Sequence, residues 1–198
     1  MPAPTPDIAS FALELITSRH SVSPKRLKEP GPGAAQLQAM VEAAGCAPDH
    51  ELLRPWRLVH IGTAQREALA DVFEQSLCER LPDADAGARG QAREKAFRAP
   101  ALLLAIARLA PTHVDVPDAE RHVALGAALQ NLLLAAHGLG FAAMLTSGQA
   151  LRTRHFARAF RLADGEHPVC FVSIGTPTEV KRRSRPSASE LISEWTPG

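Results

Sequence analysis

Residues 97–107 read Phe97-Arg98-Ala99-Pro100 and then ALLLAIA. Seven apolar residues in a row, bounded by a proline, fit either a fully buried strand or a short buried helix. The short length and the flanking proline favour the strand. Downstream, residues 118–139 are apolar almost all round from Val123 to Ala136, the pattern of a buried central helix. Gly138 and Gly140 stop it. Residues 141–145 and 169–174 are two more apolar strands, the second ended by Gly175-Thr176-Pro177. Between them, residues 149–160 read as a basic amphipathic helix carrying Leu151, Phe156 and Phe160.

Upstream, residues 56–61 alternate and read as a strand. Thr63 can cap a helix carrying Leu69, Val72, Phe73 and Leu77. Residues 82–90, PDADAGARG, read as a polar loop, followed by a short charged helix. At the start, Thr5 is a cap and Pro6 suits a first helical position. Ile8, Phe11, Ala12, Leu15 and Ile16 then recur at helical spacing. Glu29-Pro30-Gly31-Pro32-Gly33 is a turn-rich connector before a second helix with Leu37, Met40, Val41 and Ala44. Four mostly buried strands with five or six helices indicate an α+β domain of two or three layers. The tail, residues 178–198, begins basic and ends in Leu191-Ile192 and Trp195. It has apolar residues but no evident place in a core, which points to packing on a partner chain.

Composition narrows the classes. The chain has 198 residues, 45% hydrophobic and 22% charged, which suits a single folded domain. Twenty-two basic residues against 21 acidic ones give a net charge of +1, unlike a strongly basic nucleic-acid binder. Tyrosine is absent, so an aromatic platform for single strands is disfavoured. The 16 prolines gather towards the two ends, as in arms or stiff connectors. Cys46, Cys78 and Cys170 form no paired spacing, which indicates a reducing compartment. The N-terminal residues lack a secretory pattern, and no apolar run approaches the ~20 residues of a membrane span. The expectation is a cytoplasmic protein with neither a membrane nor a nucleic-acid partner.

Phosphate-loop, nucleophile-elbow and zinc-protease motifs are missing. Gly138-x-Gly140-x-x-Ala143 resembles a dinucleotide fingerprint, but it follows a helix and precedes a strand, the reverse of the required order. His113, Asp115 and His122 match no metal-ligand spacing, so no metal is expected. Cys46 has no cationic neighbour in sequence and reads as an unreactive thiol. Two segments suit phosphate. Arg19-His20-Ser21-Val22-Ser23 offers a guanidinium, hydroxyls and backbone N–H groups. The basic tail KRRSR, residues 181–185, offers arginine forks.

In combination these segments resemble the nitroreductase family of FMN proteins. Ser18-Arg19-His20-Ser21-Val22 is similar to the family's opening Arg-Arg-Ser-Val motif. Residues 43–50, AAGCAPDH, with residues 54–58, RPWRL, are similar to its A-P-x-x…P-W-R-F segment. The Asp-His version resembles the small single-domain NAD(P)H nitroreductase subgroup. So do Phe97-Arg98-Ala99-Pro100, Gly138-Leu139-Gly140-Phe141 and Ile174-Gly175-Thr176-Pro177. The resemblance runs in order from about residue 8 to the C-terminus.

That resemblance implies a three-layer α+β sandwich, a mainly antiparallel sheet flanked by helices, as one domain over residues 1–198. It implies a homodimer with FMN at the interface and residues 178–198 exchanged as an arm. By matched position, Arg19, His20 and Ser21 would hold the phosphate and ribityl end. Cys46, Pro48, Asp49 and His50 would approach the flavin from the other subunit. Leu145, Thr146 and Ser147 would run along the isoalloxazine, and Arg183 and Arg185 would reach phosphate. His20 stands where a second arginine is usual, Cys46 where the subgroup can carry arginine, and Leu52 where larger members have asparagine. The implied activity passes hydride from NAD(P)H to flavin and on to a nitroaromatic, quinone or similar small-molecule acceptor. The chemistry is flavin-centred, with no catalytic side chain required. The alternative is a family member that binds FMN with a different reaction or little turnover.

Overall fold

Strand β3, Ala101–Arg108, is the run quoted above, and it is buried along all but its last residue in the computed structural model. The structure describes residues 6–111, 115–181 and 184–197. β3 pairs antiparallel with β2, Trp56–His60, on one side and with β5, Glu166–Pro177, on the other. The far edge of β5 takes β4, Ala142–Thr146, and the last residues of β5 also pair with the two-residue β1, Leu27–Lys28. Every ladder among the described residues is antiparallel.

Alternation along β3 divides the core. Leu103, Ala105 and Ala107 face one side with Val172 and Ile174. Helices α2, Ala34–Gly45, and α5, Asp118–Gly138, cover that side through Met40, Leu125 and Leu132. Leu102, Leu104 and Ile106 face the other side with Phe171. There α3, Arg66–Arg80, α4, Ala86–Glu94, and α6, Arg154–Ala159, supply Phe73, Ala92 and Phe156. Both faces are therefore dry, which is why β3 shows no polar alternation. A bulge opposite Ala105 and Ile106 turns neighbouring Val169 and Cys170 to the same cluster. The remaining helix, α1, Pro6–Ser18, lies outside the layers and leaves Ile8, Phe11 and Ile16 exposed.

The three-layer sandwich expected from the sequence is present, with differences of detail. The short charged helix starts earlier than expected: residues 86–90 belong to α4 rather than to the loop, because Asp85 accepts the Ala88 N–H at 2.7 Å and caps the helix. The expected helix over 149–160 breaks at Thr153, which is extended. Its hydroxyl accepts the Phe156 N–H and lies 2.9 Å from Ser76 Oγ. That buried bond outweighs helical continuity. β5 begins earlier and ends later than the apolar run 169–174, and β1 had no periodic signal at all. Thr5, the expected first cap, lies outside the described residues. Gly140 stops α5 as expected, with φ +86° and the Phe141 N–H returning to the Ala136 carbonyl at 2.9 Å.

One ion pair ties the sheet's edge to its centre. Arg57 on β2 donates from Nε and Nη2 to the Glu166 carboxylate at 2.6 and 2.7 Å. That fork, with the Ala163 N–H and the charge of Arg108, holds the Glu166 carboxyl at about 2 against its ordinary 4.5. A depressed carboxyl stabilises the fold above pH 4.5 and loses that contribution as pH falls towards 2. Arg57→Met should therefore cost about 2 kcal/mol at pH 7 and much less at pH 2. Urea unfolding at the two pH values reads this directly. Equal losses at both would refute the coupling.

Candidate functional site

The segment after α1 runs beside β4. Val22 is buried, and its N–H donates to the Ala143 carbonyl at 3.3 Å. This places Arg19 and His20 against the start of β4 and Ser23–Lys25 against its end. A small crevice is lined by Arg19, His20, His137 and residues 141–143. His137 Nε2 and Ser18 Oγ are 2.8 Å apart at its edge. Ser21 itself is exposed.

Arg19 is the anomaly of this region. Its Nε and Nη1 are enclosed and lack any hydrogen-bond partner. Arg185, from the tail, donates through Nη2 to the Arg19 backbone carbonyl. Burial, and then the charge of Arg185, lower the Arg19 pKa from its ordinary value. Two guanidinium groups thus share a site in which no described residue supplies an anion to the enclosed nitrogens. An enclosed unpaired cation is costly, and an oxyanion between the two would remove that cost.

At the other end of β4 lies a cavity of about 680 Å³. Pockets for small ligands typically span ~300–1,000 Å³. Thr146 and Ser147 line it, as does Ser23. Its apolar floor includes Phe73, Leu102, Leu151 and Phe171, and its wall carries Lys25, Arg80, Lys95 and Arg98. No carboxylate appears among these lining residues. Leu145, one position before Thr146, points to the opposite face and packs on the α2–α5 cluster. Sequence reading missed Lys25, Gln91, Lys95 and Arg98. The usable signal was helical spacing: Ala88, Gln91, Ala92 and Lys95 fall on one face once residues 86–97 are read as helix.

The remaining expected residues gather elsewhere. Cys46 is exposed at the end of α2, its Sγ 3.5 Å from the Glu42 carbonyl. Pro48 is exposed too. Asp49 Oδ2 accepts the Arg54 N–H at 3.0 Å, while Oδ1 is enclosed without a partner. His50 Nδ1 lies 3.3 Å from Glu120 Oε2 on α5. The loop between is strained, with Glu51, Leu52 and Arg54 at φ 49°, 55° and 46°. Within one chain these four residues line neither the crevice nor the cavity. Arg183 and His113 lie outside the described residues.

A crevice lined by Arg19 and a cavity walled by Lys25, Arg80, Lys95 and Arg98 thus lie along one strand of a three-layer antiparallel sandwich. The profile of the Nitroreductase family matches residues 16–176, and the chain belongs to that family. It is 34% identical over 166 residues to the Escherichia coli (strain K12) protein named "Putative NAD(P)H nitroreductase YdjA", covering 84% of this chain and 88% of that one. Among solved structures, a nitroreductase-like family protein from Bacillus cereus superposes with TM-score 0.80 at 20% identity, over 98% of each chain. A variant of the FMN- and NADPH-dependent nitroreductase NfnB from sphigopyxis sp. strain HMH gives TM-score 0.73 at 18% identity, over 92% of this chain and 98% of that one.

Proposed function

We propose that the chain is an FMN-dependent NAD(P)H oxidoreductase that works as a homodimer and reduces nitroaromatic, quinone or similar acceptors. The observation that carries this reading is the pair of enclosed, unpartnered Arg19 nitrogens, Nε and Nη1, beside Arg185, at one end of the strand whose other end borders the cation-walled cavity. FMN has the matching shape, a phosphate at one end and a planar ring at the other. The family's FMN- and NADPH-dependent relatives support the same choice.

Arg19 and Arg185 would hold the phosphate, with His20 and Ser21 beside it. Thr146, Ser147 and Ser23 would offer hydroxyls along the ring, and Phe171 and Leu102 an apolar floor. Lys25 and Lys95 would place positive charge where electron gain by the ring builds negative charge. When bound, FMN supplies the two-electron relay between a nicotinamide hydride and the acceptor. The group formed by Cys46, Pro48, Asp49 and His50 would serve the partner's cavity, as its separation from the cavity in its own chain suggests. Exposed Phe11 and Ile16 on α1 and Val123 on α5 give the apolar surface a second copy would cover.

The test is a visible spectrum of the purified protein, followed by NADPH or NADH without oxygen. A flavin spectrum that bleaches within seconds is expected. A flavin spectrum that persists with both donors would leave only a flavin-binding module. A protein that stays colourless after FMN is added would refute the reading.

A further inference from the structure

The cavity holds more positive charge than a flavin uses. On the reading above, Arg19 and Arg185 answer the phosphate, and Lys25 and Lys95 answer the ring edge. Arg80 and Arg98 remain on the same wall. Arg98 Nε is enclosed and has no hydrogen-bond partner. Glu94 Oε2 makes an ion pair with Arg98 Nη2 at 3.7 Å, too long for a hydrogen bond, and does not satisfy Nε. The floor below is aromatic: Phe73 meets Phe171 edge to face at 5.6 Å between ring centres.

We propose that this cavity selects an aromatic acceptor that carries a carboxylate, with Arg98 as the fork that reads it. The inference rests on the flavin reading for the assignment of the other cations. A planar guanidinium matches a carboxylate with two parallel hydrogen bonds. Its enclosed Nε has no hydrogen-bond partner among the described residues, so a carboxylate removes an existing cost as well as making new bonds. A neutral nitroarene can stack on the flavin equally well and leaves Arg98 Nε without a partner. Sites built to bond a polar group reject analogues that lack it far better than apolar sites reject a hydroxyl. Arg98 is thus a specificity residue and takes no part in the redox step.

The experiment compares 4-nitrobenzoate with nitrobenzene on the purified, FMN-supplemented protein, by calorimetry and by turnover. Wild type is expected to favour nitrobenzoate by on the order of tenfold or more in both Kd and kcat/KM. Arg98→Ala should bring that ratio close to one, and Arg98→Lys, which keeps charge but loses the fork, should fall between. A wild-type ratio near one overturns the proposal, and so does a ratio that survives Arg98→Ala. A loss confined to NADPH, with the acceptor ratio unchanged, overturns it too and gives Arg98 to a donor phosphate. Flavin content is read from the spectra of the same samples. A nitrobenzoate preference in a protein that takes up no FMN would sink the flavin reading and leave the carboxylate site standing.

Discussion

Arg19→Ala is expected to weaken FMN binding about a hundredfold while leaving the apoprotein as stable as before, or slightly more so. The reasoning starts from what Arg19 does without a ligand. Two of its nitrogens are enclosed and unpartnered, and burial and the nearby Arg185 both act against its charge. Removing it costs the empty protein no side-chain hydrogen bond among those observed. The contact to Arg185 runs through the Arg19 backbone carbonyl, which alanine keeps. With phosphate present the sign reverses. Hydrogen bonds between charged groups contribute about 1.5–3 kcal/mol each. Losing a pair of them amounts to ~3 kcal/mol, or roughly two decades in Kd. Titration with FMN measures the first effect, and thermal unfolding with and without FMN measures the second. A variant that unfolds early but binds FMN normally would make Arg19 a scaffold residue and remove the phosphate assignment.

Removing residues 180–198 is expected to convert the proposed dimer to monomer and to release the proposed flavin together with it. Leu191, Ile192 and Trp195 are 73%, 76% and 86% exposed, with no core of their own chain to enter. Burying each fully would contribute about 1.5–3 kcal/mol, so covering all three on a second chain would supply a large part of an association energy. The cut also takes Arg185 and so leaves Arg19 alone at the phosphate end. It spares the Thr178 N–H bond to the Arg26 carbonyl that extends the β1–β5 pairing, so the sheet should survive. Sedimentation and flavin content read the outcome together. A truncated protein that is still dimeric and yellow would show that the tail is no clasp.

The layered fold was legible because its main elements carry period and burial in one dimension. β3 and α5 announce themselves by long apolar runs, and Gly140 marks a stop that only φ > 0 permits comfortably. β1 was invisible because two residues have no period; its existence depends on β5 running on to Pro177. The first half of α4 was missed because alanine, glycine and arginine dominate its sequence and its cap, Asp85, sits inside an apparent loop. The Arg19 end of the candidate site was legible as a local motif. The cavity end was not, since Lys25, Lys95 and Ser147 are brought together only by pairing and packing across the chain. Cys46 to His50 were named by resemblance alone, and within one chain they lie away from the cavity.

The central position of β5 sets an order on synthesis. It is the final strand among the described residues, and β1, β3 and β4 all pair with it. Until residues 166–177 leave the ribosome, β3 has only β2 for a neighbour and offers its most apolar edge to the cell. Pairings of such long sequence separation also form slowly. The nascent chain therefore remains an open half-sheet while residues 109–177 are made, the state in which unpaired apolar edges invite aggregation and chaperone capture. Yield in a heterologous host should depend on what happens in that interval more than on the stability of the finished protein.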